Sequence, residues 1–190
     1  MDATAAETSA APASVTEEQP PHISAAAARE TKRKMIMVAM DESEESFYAL
    51  NWALDHLLNN SEEEITIITL INVQPPFSPM VYPAGPVVFA APTMVEAVKK
   101  AKQENATTIL SRAFRMCTQK RVKAETLILE GDPKDKICRA ADELHVDLLV
   151  MGSRGLGKIK RAFLGSVSDY CAQHVHCPIL IVKPPKAPHK

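Results

Sequence analysis

Four glycines and four cations stand between an apolar run and a helical pattern in the stretch VMGSRGLGKIKRAFLGSVSDY, residues 150–170. Gly152 and Gly155 frame a short turn, nine residues follow, and Gly165-Ser166 then opens the last helical segment. Glycine lets an anion approach backbone that a Cβ would shield, and the Ser166 hydroxyl adds a donor. The first N–H groups of a helix have no partner within it and carry the positive end of its dipole, so a phosphate is well placed there. Arg154, Lys158, Lys160 and Arg161 supply positive charge, and one or two of these four are expected to contact phosphate, the rest belonging to a solvated loop.

Two familiar phosphate motifs fail on single residues. Gly152 to Lys158 nearly completes G-x-x-x-x-G-K-[ST], but Ile159 stands where a magnesium-binding hydroxyl is required. The dinucleotide pattern begins at Gly155-Leu156-Gly157 and ends at Lys160, with no acid about twenty residues later. Other constellations are weaker. Cys171, His174, His176 and Cys177 have zinc-binding atoms at a poor spacing, since 176 and 177 are adjacent and point apart. Cys117 and Cys138 fall on apolar stripes and are expected to be packing thiols. No Ser/His/Asp set or carboxylate pair announces hydrolysis, so slow ATP turnover stays open and efficient catalysis is not indicated. Ser43, Ser46, Ser153 and Ser166 are possible phosphoacceptors, with nothing to select among them.

The elements that must position these residues alternate. Apolar β-branched runs at 34–40, 64–73, 123–130, 146–152 and 178–183 read as strands buried on both faces, and the segments between them read as helices. That alternation predicts an α/β doubly wound fold on a parallel sheet of five strands, with helices on both faces. Phe47, Leu50, Leu54 and Leu57 form the apolar stripe of the first helix, which Asp41 or Ser43 is expected to cap. The second helix covers about 93–119, with Ala106, Leu110, Ala113 and Cys117 on one face. Asp132 before Pro133 predicts the start of the third, whose Ile137, Ala141 and Leu144 face the sheet. The fourth begins near Ser166. Since Gly152 ends the fourth strand, the glycine-rich turn leaves the carboxyl end of a parallel strand, where open α/β sheets hold ligands. Residues 74–92, with six prolines among apolar residues, are too long for a plain connection and read equally as a lid or an insertion.

The spacing Gly152-x-x-Gly155, nine residues, Gly165-Ser166 resembles the nucleotide-binding motif of the universal stress protein family, in its ATP-binding branch. MVAMDESEES, LINV and PILIVK are similar to that family's first strand and turn, second strand end and closing strand, so the resemblance runs from Lys34 to Lys183. The long 74–92 segment and the N-terminal tail are similar to plant members. The resemblance implies strand order 3-2-1-4-5, a homodimer through the last strand, and a nucleotide-dependent role in stress response. It implies that Asp41 contacts the adenosine part, that the Val73 backbone reads adenine, and that Met151, Gly152, Gly155, Gly165, Ser166 and Val167 surround ribose and phosphates. Met40 beside Asp41, and Ser153 and Arg154 between the first two glycines, complete the expected site. ATP is the expected ligand, with ADP or AMP as alternatives and Mg2+ accompanying the nucleotide.

Composition sets the frame. The net charge of −1 and 46% hydrophobic content fit a globular protein and give no electrostatic reason to expect nucleic acid. No window of about eighteen apolar residues predicts a membrane span. Residues 1–31 are rich in Ala, Ser, Thr and Pro and are expected to be a disordered tail. Residues 32–185 are expected to form the nucleotide-binding domain, and 186–190 a short C-terminal tail. The tail has five acids and one arginine among its first thirty residues, unlike a transit peptide, and lacks a signal peptide's apolar core. The expected location is cytoplasmic, with the nucleus open through the weak basic cluster Lys32 to Lys34. The four cysteines are then expected to be reduced. Two rival functions stand beside a nucleotide-dependent sensor or switch: a slow ATPase, and a chaperone-like interaction protein that ignores nucleotide. Protein partners are unknown.

Overall fold

The computed structural model describes residues 32–58, 64–76, 92–155 and 164–185. Five strands, β1 (Lys32–Ala39), β2 (Glu64–Gln74), β3 (Lys123–Glu130), β4 (Leu148–Gly152) and β5 (Ile179–Val182), form one sheet in the order β3-β2-β1-β4-β5. Every pairing is parallel. Parallel neighbours require crossovers, and these are helical: α1 (Glu44–His56), α2 (Pro92–Gln119), α3 (Pro133–Glu143) and α4 (Ser166–His174). The order reverses between β1 and β4, so a crevice opens at the carboxyl ends of those two strands.

Alternation along each strand divides the core. Ile36, Val38, Ile68, Leu70 and Val150 pack under α1 and α2, with Leu50, Leu54, Leu110 and Cys117. Met37, Ile71, Leu149 and Met151 pack on the other face under α3 and α4, with Ile137, Ala141 and Cys171. Burying side chains on both faces explains why the central strands β1, β2 and β4 are near-continuous apolar runs; the edge strand β3, expected to be buried on both faces, has no fully buried residue and exposes Lys123, Glu125, Thr126 and Glu130 because one of its edges has no neighbour.

Boundaries shift where a local bond competes with the run. β1 begins at Lys32, two residues before the expected start. β4 begins at Leu148 rather than 146 because His145 takes a left-handed conformation (φ 51°) and the Asp147 carboxylate accepts from the Met35 N–H at 2.7 Å. Leu144, expected to face the sheet, is 37% exposed because it caps the C-terminus of α3, where the chain turns away. Leu57 plays the same part in α1 and is half-buried. Ser43, not Asp41, is the cap of α1. Asp132 caps α3, with Pro133 in its first turn. The expectations for 1–31, for most of 74–92, for Lys158, Lys160 and Arg161, and for 186–190 lie outside the described residues.

Candidate functional site

The site begins where β1 ends. The Met40 N–H still bonds Ile71 at 2.8 Å, and then the chain leaves the sheet at Asp41. A tight polar turn fixes that exit. Asp41 Oδ1 accepts from the Ser43 N–H at 3.0 Å and from the Ser43 hydroxyl. Ser43 Oγ accepts in turn from the Ser46 N–H, and Ser46 Oγ lies 2.9 Å from the carbonyls of both Asp41 and Ser43. One carboxylate oxygen is thereby tied to the start of α1, leaving Oδ2 turned toward Gly155. Ser43 and Ser46 are buried, so a hydrogen-bonded partner for each hydroxyl is what burial demands.

The second wall comes from the turn after β4. Gly152 packs so tightly on α1 that a Cβ there would lie 3.0 Å from the carbonyl carbon and oxygen of Glu45. A Cβ on Gly155 would collide with Asp41 Oδ2, and one on Gly165 would sit 3.3 Å from the Arg154 Cα. None of these glycines has a positive φ. Their requirement is space, and the structure adds close protein packing to the anion approach that the sequence suggested. Ser153 clamps the turn: its N–H donates to Val182, and its carbonyl accepts from the Gly165 N–H at 2.8 Å and the Ser168 hydroxyl at 3.2 Å.

The third wall is the start of α4. Gly165 is its N-cap, and no side chain caps it. The first-turn N–H groups of a nine-residue helix therefore lack a side-chain acceptor, a ready place for an anion. Ser168 instead donates to the Gly165 carbonyl at 3.0 Å.

These walls enclose a cavity of about 410 Å³, within the usual range for small-molecule sites. Met40, Asp41, Val73, Met151, Gly152, Arg154, Gly155, Gly165, Ser166 and Val167 all line it. Ser153 does not: it is 2% exposed and sits behind the turn that it holds. Sequence reasoning missed the apolar contributions of Ile71, Pro133 and Ile137, and those of Ser46 and Ser168. It also missed Asn72, whose Nδ2 donates to the Met40 carbonyl at 2.8 Å. A polar residue inside the apolar run TLINV was the available signal, because a buried amide in a central strand needs a partner.

The sulfur and imidazole candidates lie elsewhere. Cys171 is fully buried with its sulfur 3.9 Å from that of Cys138, and burial pushes its thiol up to about 12. His174 stacks on Tyr170 and its Nδ1 lies 2.8 Å from the Tyr170 carbonyl. His176 Nδ1 is 3.1 Å from Asp142. Each of these three is engaged separately, and among the described residues no group of three or more His, Cys, Asp or Glu could hold a metal ion. Among those same residues no helix is long and apolar enough to cross a membrane.

Comparison with known proteins adds a family. The sequence model of the Universal stress protein family matches residues 32–183. The chain is 30% identical over 139 residues to the universal stress protein A-like protein of Arabidopsis thaliana, covering 71% of this chain and 76% of that one. It is 31% identical over 148 residues to universal stress protein YxiE of Bacillus subtilis, covering 78% and 97%. Among solved structures, a universal stress protein family protein from Arabidopsis thaliana with AMP bound matches with a TM-score of 0.57 at 26% identity, covering 80% of this chain and 92% of that one.

Proposed function

The chain belongs to the universal stress protein family, and from that premise we propose that it binds an adenine nucleotide in the cavity and acts as a nucleotide-dependent sensor or switch in stress response. The observation that carries the reading is the convergence of three unlike groups on one cavity: the uncapped N-terminus of α4, the Asp41 carboxylate, and the apolar wall of Ile71, Val73 and Met151. A phosphate needs the first, a ribose hydroxyl suits the second, and a purine ring suits the third. The relative with AMP bound supports the same ligand class.

In this reading the base lies against Val73 and Met151, Asp41 accepts from the ribose, and the N–H groups of Ser166 and Val167 receive phosphate. Arg154 lines the same cavity and adds charge for further phosphates, which favours ATP or ADP over AMP. Mg2+ would enter with the phosphates, neutralising them.

The switch follows from what the cavity joins. Its walls belong to α3, α4 and the turn that Ser153 ties to β5, so occupancy biases the packing of elements that do not otherwise share a ligand. β5 is an edge strand, and an apolar edge is protected when it pairs with a second copy. The homodimer is accordingly part of the proposal.

Calorimetric titration with ATP, ADP and AMP in magnesium, beside Gly165→Val, tests it. Binding by the wild type that the variant loses is the expected result. No heat and no stabilisation with any of the three nucleotides would remove the proposal.

A further inference from the structure

The helices α3 and α4 meet along a seam with three successive contacts. Asp135, Cys138 and Asp142 are spaced three and four residues apart on α3, which puts them on one face of that helix. Each meets a residue on α4 or just beyond its end. The Tyr170 hydroxyl donates to Asp135 Oδ1 at 3.2 Å, the Cys138 and Cys171 sulfurs lie 3.9 Å apart, and His176 Nδ1 is 3.1 Å from Asp142 Oδ2. The sulfur pair is the middle contact, with a polar contact on each side to hold its register. Cys171 is fully buried and Cys138 is 8% exposed, in one apolar cluster with Met37, Ile137, Ala141 and Leu149.

The seam also joins two walls of the cavity. Pro133 and Ile137 of α3 line it, as do Val167 and Ser168 of α4. Ile137 precedes Cys138 in the chain, and Val167 lies one helical turn before Cys171. Among the described helices α4 is the shortest, at nine residues, and no side chain caps its start. A short helix without a cap opens more readily than its neighbours, so a covalent tie to α3 would restrain it most.

We propose that Cys138 and Cys171 form a reversible disulfide on exposure to hydrogen peroxide, a modification site that fastens α4 to α3 beside the cavity. A disulfide requires sulfurs about 2.05 Å apart, and a turn of each cysteine about its Cα–Cβ bond brings them together. Cys138, the more exposed of the two, reacts first. Its thiolate attacks one peroxide oxygen, the O–O bond breaks, and the departing hydroxide takes the thiol proton as water, leaving a sulfenic acid. The Cys171 sulfur then attacks that sulfur. The S–S bond forms, the S–O bond breaks, and the hydroxyl leaves with the Cys171 proton as a second water. Two thiols lose two electrons and the peroxide gains them. Burial raises both thiols above the ordinary cysteine value, which keeps the thiolate scarce near neutral pH and makes the reaction slow.

The test treats the reduced full chain with hydrogen peroxide at neutral pH without denaturant, quenches it in acid, alkylates it unfolded, and maps its peptides without reduction. The expected product is a peptide pair joined through Cys138 and Cys171. The oxidised protein is expected to have a higher urea midpoint that dithiothreitol reverses, and several-fold slower amide exchange in α4, because the link closes a separation of 33 residues. Cys138→Ala is expected to lose the link and both effects. Cys117→Ala, in the core cluster on the other face of the sheet, is expected to keep them. If Cys138→Ala does not fold, the peptide map and the exchange comparison on the wild type still decide the matter. Cys138 and Cys171 both still open to alkylation after peroxide has oxidised the half-buried Cys177, links that join other cysteines instead, or a Cys138–Cys171 link that leaves α4 exchange unchanged would each overturn the proposal.

Discussion

A methyl group added at Gly152 meets the backbone of Glu45, whereas one added at Gly155 meets a carboxylate at the end of a side chain. Backbone in a packed helix start cannot yield cheaply, so Gly152→Ala is expected to cost about 1–3 kcal/mol of stability. At Gly155 the clash is with Asp41 Oδ2 alone, the carboxylate oxygen that Ser43 does not hold, so Gly155→Ala is expected to lose less stability than Gly152→Ala but to bind nucleotide several-fold more weakly. Urea unfolding beside a binding titration checks both, and equal destabilisation by the two variants would contradict the distinction. The buried thiols make a separate forecast. Burial raises Cys117 from about 9 to about 11 and Cys171 to about 12. Raised folded values mean that the unfolded state ionises first. The stability these thiols contribute is whole below about pH 9 and is lost as pH climbs through 11 to 12. Urea midpoints across that range should fall less steeply in Cys117→Ala, Cys171→Ala than in the wild type, and parallel slopes would contradict the assignment.

Each helix that opens onto the cavity starts differently, and the differences have consequences. Ser43 caps α1 and Asp132 caps α3 through side-chain acceptors, while α4 has none. Ser43→Ala and Asp132→Ala are each expected to cost about 1 kcal/mol. Only Ser43 also holds the Asp41 carboxylate, so only its loss should weaken nucleotide binding beyond the loss of stability; equal affinity in the two variants would argue against Asp41 as a ligand contact. Caps of this kind were partly legible beforehand. Asp132-Pro133 marked the start of α3, and the apolar runs marked five strands, because propensity and pattern agree there. Between Asp41 and Ser43 the sequence could not choose, since either hydroxyl or carboxylate can accept; in the structure Asp41 Oδ1 is taken by Ser43 itself, and Ser43 Oγ accepts from the Ser46 N–H. Leu144 was misplaced because helical periodicity says nothing of where the last turn ends. Ser153 looked like a site residue from its position between glycines, yet its backbone bonds to Gly165 and Val182 turn it inward. Asn72 escaped notice because its partner, Met40, lies 32 residues away.

At the scale of the molecule, sheet order places the crevice between β1 and β4 and leaves β5 at an edge. Leu149 and Ser153 donate to Pro178 and Val182, so the even residues of β5 face β4 and the N–H of Ile181 faces outward. Ile181→Pro thus removes an outward donor without breaking a bond to β4. If β5 pairs with a second copy, this variant should sediment as a folded monomer where the wild type sediments as a dimer; a wild-type monomer, or a variant that stays dimeric, would contradict that pairing. The central claim is that the crevice receives an adenine nucleotide with its base toward β2 and its phosphates toward α4. Backbone amide shift mapping during titration with adenosine and then ATP tests it most directly. The account predicts that adenosine moves the resonances of Asp41, Val73 and Met151, and that ATP moves these together with Gly165, Ser166 and Val167. Shifts confined to other residues, or no shift at saturating ATP, would contradict it.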